Sequence, residues 1–207
     1  MNDSKLHGFY RGLEALYETS TGLDPGTVVM PYHRARESTP RELLLLSETE
    51  DGELEVGLAI DHAVLRKLED STVDDALSDE GLGDTLPVLE GLSHLMYLAE
   101  AARTERPVSG LELETQAEID KLAICLLHRW PRAREEFGRL VDRLFYRFDL
   151  APLEPELHER YETANRIAVG FAKRLQPHVE SRHLSGFHRT LRHFWRGPMS
   201  TKRSLGA

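Results

Sequence analysis

Cysteine is nearly absent. Among 207 residues only Cys125 carries a thiol, so no internal disulfide can form. Aromatic residues make up only 7% of the chain. The longest apolar run, residues 122–127, is far shorter than a bilayer needs, so no membrane contact is expected. The opening Met1-Asn2-Asp3-Ser4-Lys5-Leu6-His7 lacks the apolar core of a signal peptide, and the expected address is the cytoplasm. No Gly-x-x-x-x-Gly-Lys-Ser/Thr, Gly-x-Gly-x-x-Gly, Gly-x-Ser-x-Gly or His-Glu-x-x-His pattern occurs. Phosphate-loop, dinucleotide, serine-hydrolase and zincin chemistry therefore lack their usual carriers. Lysine is scarce as well, with 5 Lys among 26 basic residues, a bias that fits a GC-rich, bacterial genome.

What is present suits a folded protein. An apolar share of 40% and a charged share of 29% can build a core without metal or disulfide staples. The net charge of −9 is unevenly spread. Residues 1–130 hold 11 basic and 26 acidic side chains, and residues 131–207 hold 15 basic and 9 acidic ones. Unlike charges within one molecule favour internal pairing over an external anion, and the overall negative field disfavours nucleic acid.

Leu6, Phe9, Tyr10, Leu13, Leu16 and Tyr17 recur at helical spacing, which predicts a helix over 4–18. Three β-rich stretches follow, around Val28-Val29-Met30, over Glu42–Ser47 and over Glu53–Ile60. Asp51-Gly52 marks a hairpin turn between the last two. The expectation is a three-stranded antiparallel meander, then a short helix from 61 to 69 capped by Asp61. Residues 71–84, rich in Asp, Ser and Gly, read as an exposed acidic linker. Their acidic spacing does not match a calcium loop. From residue 85 the chain reads as about five helices, mostly antiparallel: 86–103, 110–130, 132–147, 156–175 and one holding Phe187, Leu191 and Phe194. Pro87 suits a first turn, Ser109 and Glu112 form a capping box, and Pro177 is expected to break the fourth helix. The fold class is thus α+β, organised as a small N-terminal part (1–70), the linker (71–84), a helical bundle (85–196) and a basic tail (197–207).

Four constellations could carry chemistry. Glu90 and His94 stack one turn apart on one helix, and Glu114 and Glu118 do so on the next. Carboxylates and imidazole on facing helices can hold a divalent metal. At about 100° per residue, however, Glu90, His94 and Tyr97 point away from the apolar Leu89/Leu92/Met96 face. Helix 110–130 is apolar nearly all round and also carries Glu112, Glu114, Glu118, Asp120 and Lys121, so some of these charges should be buried and paired. Asn165 lies inside the stripe of Tyr161, Ala168 and Ala172 and is expected to spend its hydrogen bonds internally. The C-terminal end interleaves Arg189, Arg192 and Arg196 with Phe194 and Trp195, a pattern that can grip an anion or simply form an amphipathic helix.

With neither a nucleophile–base set nor a strong metal motif, the expectation is a non-catalytic intracellular binding or regulatory protein with a protein partner and no cofactor. The first rival is an enzyme or sensor with a divalent metal on Glu90, His94, Glu114 and Glu118. The second is nucleic-acid binding through the basic C-terminal end.

Overall fold

The computed structural model describes residues 4–36, 39–49, 54–147 and 155–207. The chain separates into two compact units. The first comprises Met1–Ala15 and Thr19–Pro107, the second Leu16–Glu18 and Val108–Ala207. The class is mixed α+β, with a three-stranded sheet and a majority of helix. No helix of the described residues is long and apolar enough to cross a membrane.

Helix α1 (Lys5–Tyr17) belongs to the first unit up to Ala15 and to the second at Leu16 and Tyr17; its Leu6, Tyr10, Leu13, Leu16 and Tyr17 are buried at the predicted spacing. A one-turn helix α2 (Pro25–Val28), capped by Asp24, leads into β1 (Val29–Tyr32). Strands β2 (Glu42–Glu48) and β3 (Leu54–Asp61) pair antiparallel, as their hairpin spacing predicts. The Asp51-Gly52 turn itself lies outside the described residues. The meander is corrected in one respect. β1 pairs parallel with β3, and the strand order is β1-β3-β2. The segment after β1 therefore carries the chain past β3, to the far side of the sheet from β1. Composition marks three strands but not which one sits in the middle; apolar β3, with Leu58 and Ile60 fully buried, takes that place.

Asp61 accepts a hydrogen bond from the Ala63 amide and caps α3 (His62–Asp70). The segment expected as an acidic linker is partly folded. Thr72 and Asp75 form a capping box around α4 (Val73–Ala76), and Ala76, Leu77 and Leu82 are buried. Helix α5 runs Leu82–Arg103, four residues longer at its start than the sequence suggests. Pro87 is thus inside the helix, where it removes the N–H that would reach the Gly83 carbonyl. Arg41 Nη1 donates to that carbonyl at 3.0 Å and replaces the lost bond. Gly91 lets α5 lie close on the sheet: a Cβ there would come within 2.8 Å of a Leu58 methyl.

The second unit is helical. It contains α6 (Gly110–His128), a 3-10 turn (Trp130–Arg132), α7 (Ala133–Phe145), α8 (Pro155–Glu180), α9 (Leu184–Arg196) and α10 (Met199–Leu205). The capping box of Ser109 and Glu112 opens α6. α8 packs on α6, α7, α9 and α10. Pro177 does not end α8; it sits in the last turn, where it leaves the Lys173 carbonyl without that intrahelical donor while its own carbonyl still accepts from the Ser181 amide at 3.1 Å. The expected tail also folds, because Lys202 of α10 is drawn fully inside.

Candidate functional site

The sequence-predicted residues fall as follows. Glu90 and His94 lie on α5 in the first unit, and His94 is buried rather than on a solvent face. α5 is buried nearly all round, so the helical-wheel contrast with Leu89, Leu92 and Met96 does not separate core from solvent. Glu114 and Glu118 lie on α6 in the second unit. Lys121 Nζ donates to Glu118 Oε1 at 2.8 Å, so that carboxylate already has a cation. Asn165 is half-buried on α8, and its Nδ2 donates to the Phe145 carbonyl at the end of α7 at 3.0 Å. Arg192 donates to the Leu16 carbonyl at 2.6 Å and to Glu18 at 2.5 Å, and Arg196 meets Glu18 at 3.4 Å. Arg189 is exposed. Cys125 is fully buried, and burial pushes its thiol up to about 11, so it supplies no thiolate at neutral pH.

Two further arrangements emerge; the first realises the expectation that helix 110–130 buries charges such as Asp120, with partners the sequence did not identify. One is a buried polar chain in the second unit. The Tyr17 hydroxyl donates to Asp120, and Gln116 Nε2 donates to Asp120 at 2.8 Å and to the Tyr17 oxygen at 3.1 Å. Lys202 Nζ donates to Gln116 Oε1 at 2.7 Å and to the Phe194 carbonyl at 2.9 Å. Trp195 stacks on the Tyr17 ring at 4.3 Å between centroids, and Lys202 lies over the Phe194 ring at the same distance. These side chains are out of water, so the chain locks α6, α9 and α10 together with residues 16–18 rather than meeting a substrate. Elsewhere in the second unit His178 bonds Thr190 at 3.1 Å, and burial, with the charges of His183 and Arg189, holds its pKa below the usual histidine value.

The other arrangement is the open side of the sheet. β2 is an edge strand. The Asp61 amide donates to the Arg41 carbonyl at 2.9 Å, which makes 41 and 61 a hydrogen-bonded pair in the β2–β3 register. Alternation then turns the backbone of Leu43, Leu45 and Ser47 inward to β3, and that of Glu42, Leu44, Leu46 and Glu48 outward. Side chains alternate too. Leu44 and Leu46 share the α5-facing side with Leu58, while Leu45 shares the opposite side with Met30, over Gly57. Leu45, Leu46 and Met30 are 43%, 52% and 45% exposed. A run of four leucines fits a strand covered on both faces; here its second half is uncovered. Edge strands are normally blunted by Lys, Pro, a bulge or an inward-pointing charge; β2 carries no Lys or Pro, and only Glu42, with a carboxylate oxygen buried on the α5 side, is of the last kind.

Comparison of the chain with protein-family models, with curated proteins and with solved structures finds no match in any of the three.

Proposed function

We propose that this is a non-catalytic binding protein whose contact surface is the open edge and exposed leucines of the first unit's sheet. The observation behind this reading is the outer edge of β2: a row of outward backbone groups flanked by Leu45, Leu46 and Met30, with no strand of the described residues beside it. An exposed apolar edge is an aggregation hazard unless a partner uses it. The one thiol, Cys125, is inert.

The inert thiol makes a clean test. A photo-crosslinker attached at Ser47→Cys will label that position alone. The expected result is an adduct with a cellular protein that disappears when Leu46→Pro is added. An adduct that survives Leu46→Pro, or one that forms only from a control label at Ser185→Cys, would refute the reading.

A second reading, an enzyme or sensor with a divalent metal, draws on buried His94 one turn after Glu90. These two residues would be its first ligands. Metal content of the purified protein, with His94→Ala alongside, tests it; metal-free protein whose melting is unchanged by chelator ends it.

A further inference from the structure

His178, His183, His188 and His193 recur every five residues. Along a continuous helix each step of five turns the next side chain about 140° round the axis, so such histidines share no face. The first two, however, span the corner between α8 and α9. Arg182 there takes a left-handed backbone, with φ at 52°. The His183 amide donates to the His178 carbonyl at 2.8 Å, and the Arg182 amide to the Val179 carbonyl at 3.1 Å. These are the two bonds of a Schellman ending, which brings residues five apart side by side. An apolar pair usually fills that place. Here two imidazoles do, with ring centroids 5.7 Å apart and one ring edge-on to the other.

Gly186, in the first turn of α9, keeps a space open between the rings. A Cβ there would lie 2.6 Å from His178 Nδ1 and 2.7 Å from His183 Nδ1, so both nitrogens border that one small space. Neither Nδ1 meets a hydrogen-bond partner among the described residues. His178 Nε2 is held by Thr190 Oγ1 at 3.1 Å. With Nε2–H as the donor in that bond, the ring's lone pair stands on Nδ1. A second hydrogen bond of this kind is what orients a metal-binding histidine.

We infer that His178 and His183 bind one divalent transition-metal ion through their Nδ1 atoms at the α8–α9 corner. Imidazole selects Zn2+, Cu2+ and Ni2+ over the oxygen-seeking Mg2+ and Ca2+. Arg189 acts on His178 as a like charge, which further disfavours a cation held by charge alone. Two protein ligands leave the other coordination positions to water, unlike the four that close a structural zinc site, so the ion exchanges with its surroundings. The site shares no residue with Glu90 and His94 and does not depend on the sheet edge.

The test titrates the full, untagged chain with Zn2+, Cu2+ and Mg2+, each alone, in a calorimeter, and records the EPR spectrum of the Cu2+ form. The expected result is Zn2+ binding, tighter Cu2+ binding with nitrogen ligation in the spectrum, and no heat from Mg2+. His178→Ala and His183→Ala should each weaken Zn2+ binding by at least about tenfold, since each removes one of two protein ligands. Gly186→Ala keeps both imidazoles but fills the space between them, and should weaken binding as much. Thr190→Val removes the bond that orients His178 and should weaken binding by about tenfold. His94→Ala on α5 and His193→Ala, at an exposed position of α9, should leave the affinity as it was. If Gly186→Ala does not fold, His183→Gln, at an exposed position, carries the test in its place. Binding that survives both His178→Ala and His183→Ala is adventitious binding to other imidazoles and overturns the inference. So does a loss in only one of those two variants, which would mark a single-imidazole site. No heat from either Zn2+ or Cu2+ at about 1 mM overturns it as well.

Discussion

The ammonium of Lys202 in the second unit is carried fully out of water and met there by Gln116, the Phe194 carbonyl and an aromatic face. Asp84 in the first unit keeps Lys67 and Arg41 beside it at the surface, and Lys67 is mostly solvated. The same contrast holds for the backbone. α8 packs its apolar face on four neighbouring helices, whereas β2 leaves one edge and two leucines open. Charges that hold a fold belong where water cannot compete; surfaces that meet a partner must stay where water can be displaced. On this comparison the second unit spends polar groups on its own packing, while the first leaves part of its sheet uncovered.

The hardest way to strain the comparison is to cut the buried chain. Lys202→Ala leaves the Gln116 and Phe194 oxygens without that donor in a dry interior, and should cost about 3–5 kcal/mol in denaturant melts. Lys202→Met fills the same space without a charge and should cost clearly less. If Lys202→Ala costs under about 0.5 kcal/mol, α10 does not hold the second unit together. Asn165→Ala is the next step down. It strands the Phe145 carbonyl at the end of α7, only half-buried, and should cost about 1 kcal/mol. A value near that of Lys202→Ala would mean that Asn165 fixes the packing of α7 on α8 and does not merely cap it.

Local signals were legible and tertiary ones were not. α1 follows its apolar spacing to within a residue at each end, and Asp61 and Ser109 cap α3 and α6 as their side chains dictate. The start of α5 was hidden because Pro87 reads as a first-turn residue; only Arg41, far away in sequence, explains how the helix tolerates it. The parallel pairing of β1 could not be read, since strand composition carries no direction. Lys202 looked like part of a basic tail because its partners Gln116 and Phe194 come from other helices. The candidate surface was half visible: four leucines between two glutamates marked a strand, but a continuous apolar run predicts cover on both faces, and exposure of Leu45 and Leu46 appears only in the fold.

The smallest effect lies at the other end of the comparison, at Asp84. Hydrogen bonds from Lys67, at 2.7 Å, and from Arg41 hold its carboxyl below the ordinary 3.8, against a desolvation effect that acts the other way. A depressed folded-state pKa means stability that is present above 3.8 and lost as pH falls through the lower folded value, because the unfolded chain takes up its proton first. Asp84→Asn cannot titrate, so its stability should fall less steeply than that of the native chain between about pH 5 and pH 2. Since Lys67 is well solvated, the contribution at neutral pH should be under about 1 kcal/mol. Glu100, also lowered, by Arg103 first and with Thr19 adding to it, keeps part of the slope in the variant. Urea melts of both proteins at about pH 7 and about pH 3 measure the difference. Identical slopes would show that the Arg41–Asp84–Lys67 cluster contributes nothing measurable to folding. Arg41 would then matter in the first unit only for the Gly83 carbonyl that Pro87 leaves open.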